Sequence, residues 1–224
     1  MTEPMSPPQG PCAEQPSPEA LWLDRWSAGP TDTGLTPLGE GSAAPDLALP
    51  DHTGRTRRLS EFWSGAPALL MFWRHLGCSC GAARAALLQT EWSAYREADL
   101  NPVIVTMGDP GRADAYRVSH GLSAPVLCDP AALAYRAYGV GHWSVERVLY
   151  DAPPGFLAHT REVGRRFQDD RRRQGVAPVD DPWRSVAEFV ISPLGRVRLA
   201  YGYQYCEDFP DPRVLTTAAR LSAG

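Results

Sequence analysis

Nowhere in its 224 residues does the chain carry a run of about 20 apolar residues, the length a membrane-spanning helix needs. The N-terminus also lacks the basic segment followed by an apolar one that marks a secretory signal, and is rich in Pro, Glu, Ser and Gln instead. Positive charge is in deficit: 22 Lys and Arg against 26 Asp and Glu leave a formal net charge of -4. With no overall basic field and no RNA- or DNA-binding motif, nucleic acid is excluded as an expected partner. The five cysteines (Cys12, Cys78, Cys80, Cys128 and Cys206) are odd in number and lack the even spacing of a disulfide-stapled secreted domain. These absences predict a cytoplasmic protein with no membrane partner and with its thiols reduced at rest. No internal repeat is present.

What remains, at 43% hydrophobic and 21% charged residues, is a globular composition with enough chain for a core. Residues 1–38 are rich in Pro, Gly and Ser and read as a flexible leader. Within it, Trp22 and Trp26 of "LWLDRW" stand four apart, so one helical turn docks both rings on the body of the protein or on a partner. "DLALP", "DHTG" and "RTRRL" read as a short hairpin, and "LSEFW" as a helical turn with Ser60 as N-cap. "PALLMFW" (67–73) is an apolar run bounded by turn signals, which suits the central strand of a parallel sheet.

Beyond the cysteines, Gly81, Ala85, Leu88, Trp92 and Tyr95 fall on one helical face, with Arg84, Glu91 and Arg96 elsewhere. "PVIVTM" reads as a second buried strand. Asp109 and Pro110 open a helix that Gly121 stops, and Asp129 and Pro130 repeat the device after "APVLC". At about 141–182 the rhythm breaks, and the mixed charges of "GRRFQDDRRRQG" predict an exposed helix and loop. "VAEFVISPLGRVRLAYGY" reads as an antiparallel hairpin and "DPRVLTTAARL" as a closing helix. The alternation predicts an α/β sheet with right-handed crossovers.

"FWRHLGCSCGAARAALL" (72–88) carries the chemistry. Cys78 falls between a buried strand and the first turn of a helix, where open α/β sheets bind ligands. Unpaired N–H groups and the positive dipole end favour thiolate over thiol there, and Arg74 and His75 add positive charge. Cys80 reads either as a redox partner or as a small buried residue. Positions two apart on a regular helix point about 200° away from each other, so an internal disulfide requires the first turn to unwind. Cys206, in the polar loop "YQYCEDFPDP", reads as a resolving thiol or as an unremarkable one, and Cys128 as edge-strand packing. His75 is an acid or base at the site, or a polar residue at a strand end. Trp73 and the tyrosines read as packing. Two rival functions stand beside redox chemistry. One is soft-metal binding, Cu(I) or zinc, by Cys78, Cys80 and Cys206 or His75. The other is a redox-inactive scaffold that binds partners through Trp22, Trp26 and the arginine-rich segment.

"GSAAPDLALPDHTGRTRRLSEFW", "LLMFWRHLGC", "PVLCDPAALAYRAYGV" and "AEFVISPLGRVRLAY", in that order, resemble the peroxiredoxin-like branch of the alkyl hydroperoxide reductase and thiol-specific antioxidant superfamily. The resemblance implies an α/β thioredoxin-like fold, a central mixed sheet flanked by helices, over residues 39–224 with the charged segment as an insert. It implies Cys78 as the nucleophile toward a peroxide or disulfide, and resolution by Cys80 or Cys206. An external thiol reductant, thioredoxin-like or glutathione, would follow, with no bound cofactor or metal, and a homodimer is admitted. In that topology Cys78, Cys80, Cys128 and Cys206 share one rim of the sheet. Cys206, two strands from Cys78, would start about 10 Å away, a gap for a loop to close. The family pattern Pro-x-x-x-Thr-x-x-Cys is not kept, since Met71 and His75 hold the proline and threonine positions. The family's arginine before the "FVI" strand would fall near Val186, and the nearest is Arg184; Gly81 rules out Cys-x-x-Cys.

Overall fold

Helix α1 (Pro18–Ala28) begins where the Ser17 hydroxyl accepts from the Ala20 amide and a proline enters the first turn. It is the first element of a computed structural model that describes residues 16–148, 158–176 and 179–222. The stretch expected to be a flexible leader therefore contains an ordered helix. Strands β1 (Ala48–Pro50) and β2 (Thr56–Arg58) pair as the expected antiparallel hairpin. Ser60 does not cap the turn that follows. Its backbone is already inside the 3-10 turn Leu59–Phe62, and the Glu61 carboxylate instead accepts from the Arg58 amide at 2.7 Å.

The buried apolar runs form the main sheet. Strands β3 (Ala68–Phe72), β4 (Asn101–Thr106) and β5 (Val126–Cys128) are parallel, and β6 (Ala187–Ile191) and β7 (Val197–Gly202) add an antiparallel hairpin in the order β5-β4-β3-β6-β7. Antiparallel pairing applied twice, β3 to β6 and β6 to β7, returns β7 to the direction of β3. All five residues of β3 are buried, as a central strand covered on both faces requires.

Alternation along the strands divides the core. Leu69, Met71, Ile104 and Val190 face α2 (Ser79–Glu97), α3 (Pro110–Ser119) and α7 (Pro212–Arg220). Leu70, Phe72, Val105 and Phe189 face Tyr135 of the short helix α4 (Leu133–Ala137) and Tyr138 just beyond it. Asp109 caps α3 as expected, by accepting from the Arg112 amide. Asp129 acts one turn early: its carboxylate accepts from the Leu133, Ala134 and Tyr135 amides, while Pro130 stays outside the helix.

The segment at about 141–182 contains α5 (Val145–Val148) and α6 (Arg161–Arg173), and its residues 149–157 and 177–178 lie outside the described ones. Helix α6 is not simply a solvated face. Its Phe167 stacks on Trp22 at 5.5 Å, and Trp26 stacks on Trp183 at 5.2 Å, closing a separate aromatic cluster between α1, α6 and the approach to β6. The docking of Trp22 and Trp26 on the body of the protein is as expected, and both rings are buried. Arg84 departs from expectation. A charged residue off the apolar face of α2 reads as solvated, yet Arg84 is buried because Glu188 of β6 lies opposite, 2.8 Å from its Nε.

Candidate active site

Strand β3 ends at Phe72, and the chain turns through residues 73–78 before entering α2. The turn is held from three sides. The Trp73 amide donates to the Val105 carbonyl, the Tyr135 hydroxyl sits against the carbonyls of both Trp73 and Val105, and the Cys78 amide donates to the His75 carbonyl at 3.2 Å. Cys78 is the N-cap, with φ -83° and ψ 136°, and its carbonyl accepts from the Gly81 and Ala82 amides. A side chain at this position precedes the helical spiral, so the 200° separation of regular helical positions does not apply to it.

Cys78 and Cys80 are joined as a disulfide, with Cα atoms 5.2 Å apart. The expectation that the first turn must unwind is corrected by the extended N-cap. Gly81 stands where Cys-x-x-Cys would place its second cysteine, and a Cβ there would meet the Tyr116 hydroxyl at 3.2 Å, a tight contact. Cys78 is half-buried and lines a cleft of about 810 Å³ with Leu76, Ala82, Tyr116, Arg112 and Arg171. Cys80 is buried and lines a small inner cavity instead, shared with Arg74, His75, Tyr203 and Cys206.

Cys206 is closer than the topology implied. The sulfurs of Cys78, Cys80 and Cys206 all lie within 4.8 Å of one another. The loop after β7 achieves this by folding back: the Gln204 amide and the Tyr201 hydroxyl both donate to the Asp208 carboxylate, and Cys206 packs with Trp143, Val186 and Tyr203. Arg74 approaches from the other side, its Nη1 3.5 Å from the Cys206 sulfur and its Nη2 donating to the Pro182 carbonyl. The Arg74 guanidinium also lies 5.8 Å from the centre of the Trp143 ring. With two of the three sulfurs bonded to each other, and no fourth ligand in the cluster among the described residues, the soft-metal reading gains no support.

His75 does not supply positive charge. Burial, then the neighbouring Arg74 and Arg171, hold its imidazole well below its ordinary pKa, so the ring is neutral, and its Nδ1 has no hydrogen-bond partner among the described residues. Cys128 is fully buried at the end of edge strand β5, and burial pushes its thiol up to about 12, in keeping with a packing role. Arg184, at the position nearest the family's arginine, is committed elsewhere: it donates to the Val140 carbonyl and to Asp181, and lies over the Tyr135 ring at 5.5 Å. The scaffold reading loses its docking residues, because Trp22 and Trp26 are buried.

Sequence reasoning missed two features. Arg171 of α6 donates to the Gly77 carbonyl at 2.6 Å, so the charged segment reaches the cysteine turn. Nothing local in "DDRRRQG" separates that arginine from its neighbours. Beneath the inner cavity, Glu188 accepts from Arg84 and from the Tyr203 hydroxyl. A lone carboxylate in the otherwise apolar "AEFVI" was the available signal.

Residues 41–156 match the family profile of AhpC/TSA. The chain is 29% identical over 112 residues to the thiol-disulfide oxidoreductase ResA of Geobacillus thermodenitrificans, a match covering 49% of this chain and 62% of that relative. Among solved structures, the peroxidoxin BcpB of Mycobacterium tuberculosis superposes with a TM-score of 0.60 at 16% identity, over 82% of this chain and 97% of that one. A thiol peroxidase from Chromobacterium violaceum gives 0.57 at 16% identity, over 85% and 93%. A putative thiol:disulfide interchange protein DsbE from Chlorobium tepidum gives 0.54 at 20%, over 84% and 99%. At these identities the structural likenesses establish the thioredoxin-like fold.

Proposed function

Because the chain belongs to the AhpC/TSA family over residues 41–156, a stretch that includes both paired cysteines, we propose that it is a thiol-dependent oxidoreductase whose nucleophile is the Cys78 thiolate. The observation that carries this reading is the Cys78–Cys80 pair at a strand-to-helix junction, with Cys78 on an open cleft and Cys80 behind it.

The chemistry follows from the placement. Reduced Cys78 stands at the N-terminus of α2, where unpaired backbone N–H groups favour its anion. Attack on the O–O bond of a peroxide gives a Cys78 sulfenic acid and releases water or an alcohol. Attack on an S–S bond gives a mixed disulfide and releases a thiolate. Cys80 then attacks the Cys78 sulfur, expelling water or the partner thiol and forming the observed disulfide. An external thiol, a thioredoxin-like protein or glutathione, reduces it and completes the cycle. His75, being neutral, acts as a hydrogen-bonding group rather than as a counter-charge. Arg74 orders the Cys206 loop. No bound cofactor is required by any of these steps.

No helix among the described residues is long and apolar enough to cross a membrane. We place the protein in the cytoplasm, where glutathione and thioredoxin systems would keep Cys128 and Cys206 as free thiols. The reading admits a homodimer, which light scattering decides.

Turnover of hydrogen peroxide and of a small disulfide, each coupled to dithiothreitol oxidation, tests the function. Cys78→Ser is expected to abolish the protein-dependent rate with both. Equal rates in wild type and Cys78→Ser would overturn the reading.

A further inference from the structure

The proposed cycle uses two cysteines, but the structure gathers three sulfurs. We propose that Cys206 is a third redox thiol that takes over the disulfide, converting Cys78–Cys80 into Cys80–Cys206 and returning Cys78 to its free form while the protein stays oxidised. The proposal rests on the reading of Cys78 and Cys80 as the redox pair.

The step is an internal thiol–disulfide exchange. The Cys206 thiolate attacks the Cys80 sulfur, the Cys80–Cys206 bond forms, the Cys78–Cys80 bond breaks, and the electron pair leaves on Cys78. One S–S bond is lost and one gained, so no external oxidant or reductant is consumed. The proton lost by Cys206 passes to solvent, and Cys78 leaves as its thiolate.

Three independent placements support the exchange and its direction. The three sulfurs lie within 4.8 Å of one another, which places the Cys206 sulfur near the bond it would attack. The two cavities divide them: Cys80 and Cys206 line the inner one, whereas Cys78 lines the outer cleft. Attack from the inner side at Cys80 therefore makes the outward-facing Cys78 the leaving group. The surroundings suit a nucleophilic sulfur at Cys206, since the Arg74 guanidinium donates to it and is itself anchored on the Pro182 carbonyl. Neutral His75, whose Nδ1 has no partner among the described residues, borders the same inner cavity as a hydrogen-bonding group. Cys128 is outside this arrangement: it is fully buried and absent from the sulfur cluster.

The consequence is a division of labour. The inner pair holds the two oxidising equivalents, and the cleft recovers a thiolate able to meet a second oxidant or a thiol partner. Reverse exchange returns the disulfide to the cleft for reduction.

Full-length protein, reduced and then treated with one equivalent of diamide, is freed of reagent, labelled with iodoacetamide at pH 7, quenched in acid and mapped by mass spectrometry. The proposal expects label on Cys78 together with a Cys80–Cys206 disulfide, growing with labelling time. In Cys206→Ser, Cys78 is expected to stay unlabelled and bonded to Cys80. Label confined to Cys206 with Cys78–Cys80 intact, at the longest time in wild type, would overturn the exchange and leave the redox pair standing. A map with no disulfide at Cys78 or Cys80 at all would overturn both. The wild-type map is decisive alone, so a poorly folding variant does not obscure it.

Discussion

Arg171 Nη2 donates to the Gly77 carbonyl at 2.6 Å, so a helix of the charged segment holds the turn that presents Cys78. The guanidinium also lies 5.5 Å from the centre of the Phe167 ring, on the same helix that stacks on α1. Arg171→Met keeps an apolar stem and removes the charge-assisted hydrogen bond, which is worth about 1.5–3 kcal/mol. Faster hydrogen exchange at amides 77–82 and faster alkylation of reduced Cys78 are expected. Exchange unchanged over 77–82 would show that α6 does not brace the turn.

Beneath the site, Arg84 and Glu188 form a buried pair, with side chains 3% and 0% exposed. Burial penalises the guanidinium, but the carboxylate beside it outweighs that and raises the Arg84 pKa further. Removing Arg84 strands the Glu188 carboxylate, which costs about 3–5 kcal/mol, whereas removing Glu188 leaves Arg84 still paired with Glu91 at 2.7 Å. Arg84→Met should show that loss in urea unfolding. The double change Arg84→Met with Glu188→Leu should cost clearly less than the sum of the two single changes. Simple additivity would mean that the pair is not coupled.

Gly164 sits where α6 crosses α1, and a Cβ there would come within 2.8 Å of the Trp26 ring and 3.0 Å of Leu23 and Trp22. Overpacking of this kind costs about 1–3 kcal/mol. Gly164→Val should loosen the aromatic cluster, shift tryptophan emission to the red and, through Arg171, accelerate Cys78 alkylation. Emission and alkylation unchanged from wild type would separate the cluster from the site.

His75 makes stability depend on pH in one direction. Its folded pKa is depressed by burial and by Arg74 and Arg171, so the unfolded chain binds a proton below about 6.5 that the folded chain refuses. Stability from this residue is level above pH 6.5 and falls by up to about 1.4 kcal/mol per pH unit below it, until the folded pKa is reached. Unfolding of His75→Gln, compared with wild type between pH 7.5 and 5, should show a shallower decline. Parallel curves would contradict a buried neutral imidazole.

The sheet was legible because its strands are short apolar runs between turn residues, and Cys78 because a strand end followed by a helix start is visible in "FWRHLGCSCGAARAALL". The Trp22 and Trp26 pair was legible as a docking turn from its spacing alone. What escaped depended on partners distant in the chain. Arg84 reads as solvated until Glu188, 104 residues on, is folded against it. The disulfide was judged by regular helical geometry, and the N-cap is where that geometry does not hold. The bracing of the cysteine turn by Arg171 spans 94 residues and has no local pattern.

In the proposed cycle Cys78 meets the oxidant first. Reduced Cys80→Ser protein, treated with one equivalent of hydrogen peroxide in the presence of dimedone and mapped by mass spectrometry after rapid quenching, tests it directly. The dimedone adduct is expected on Cys78 at the earliest time points. An adduct appearing first on Cys206, with Cys78 unmodified, would contradict it.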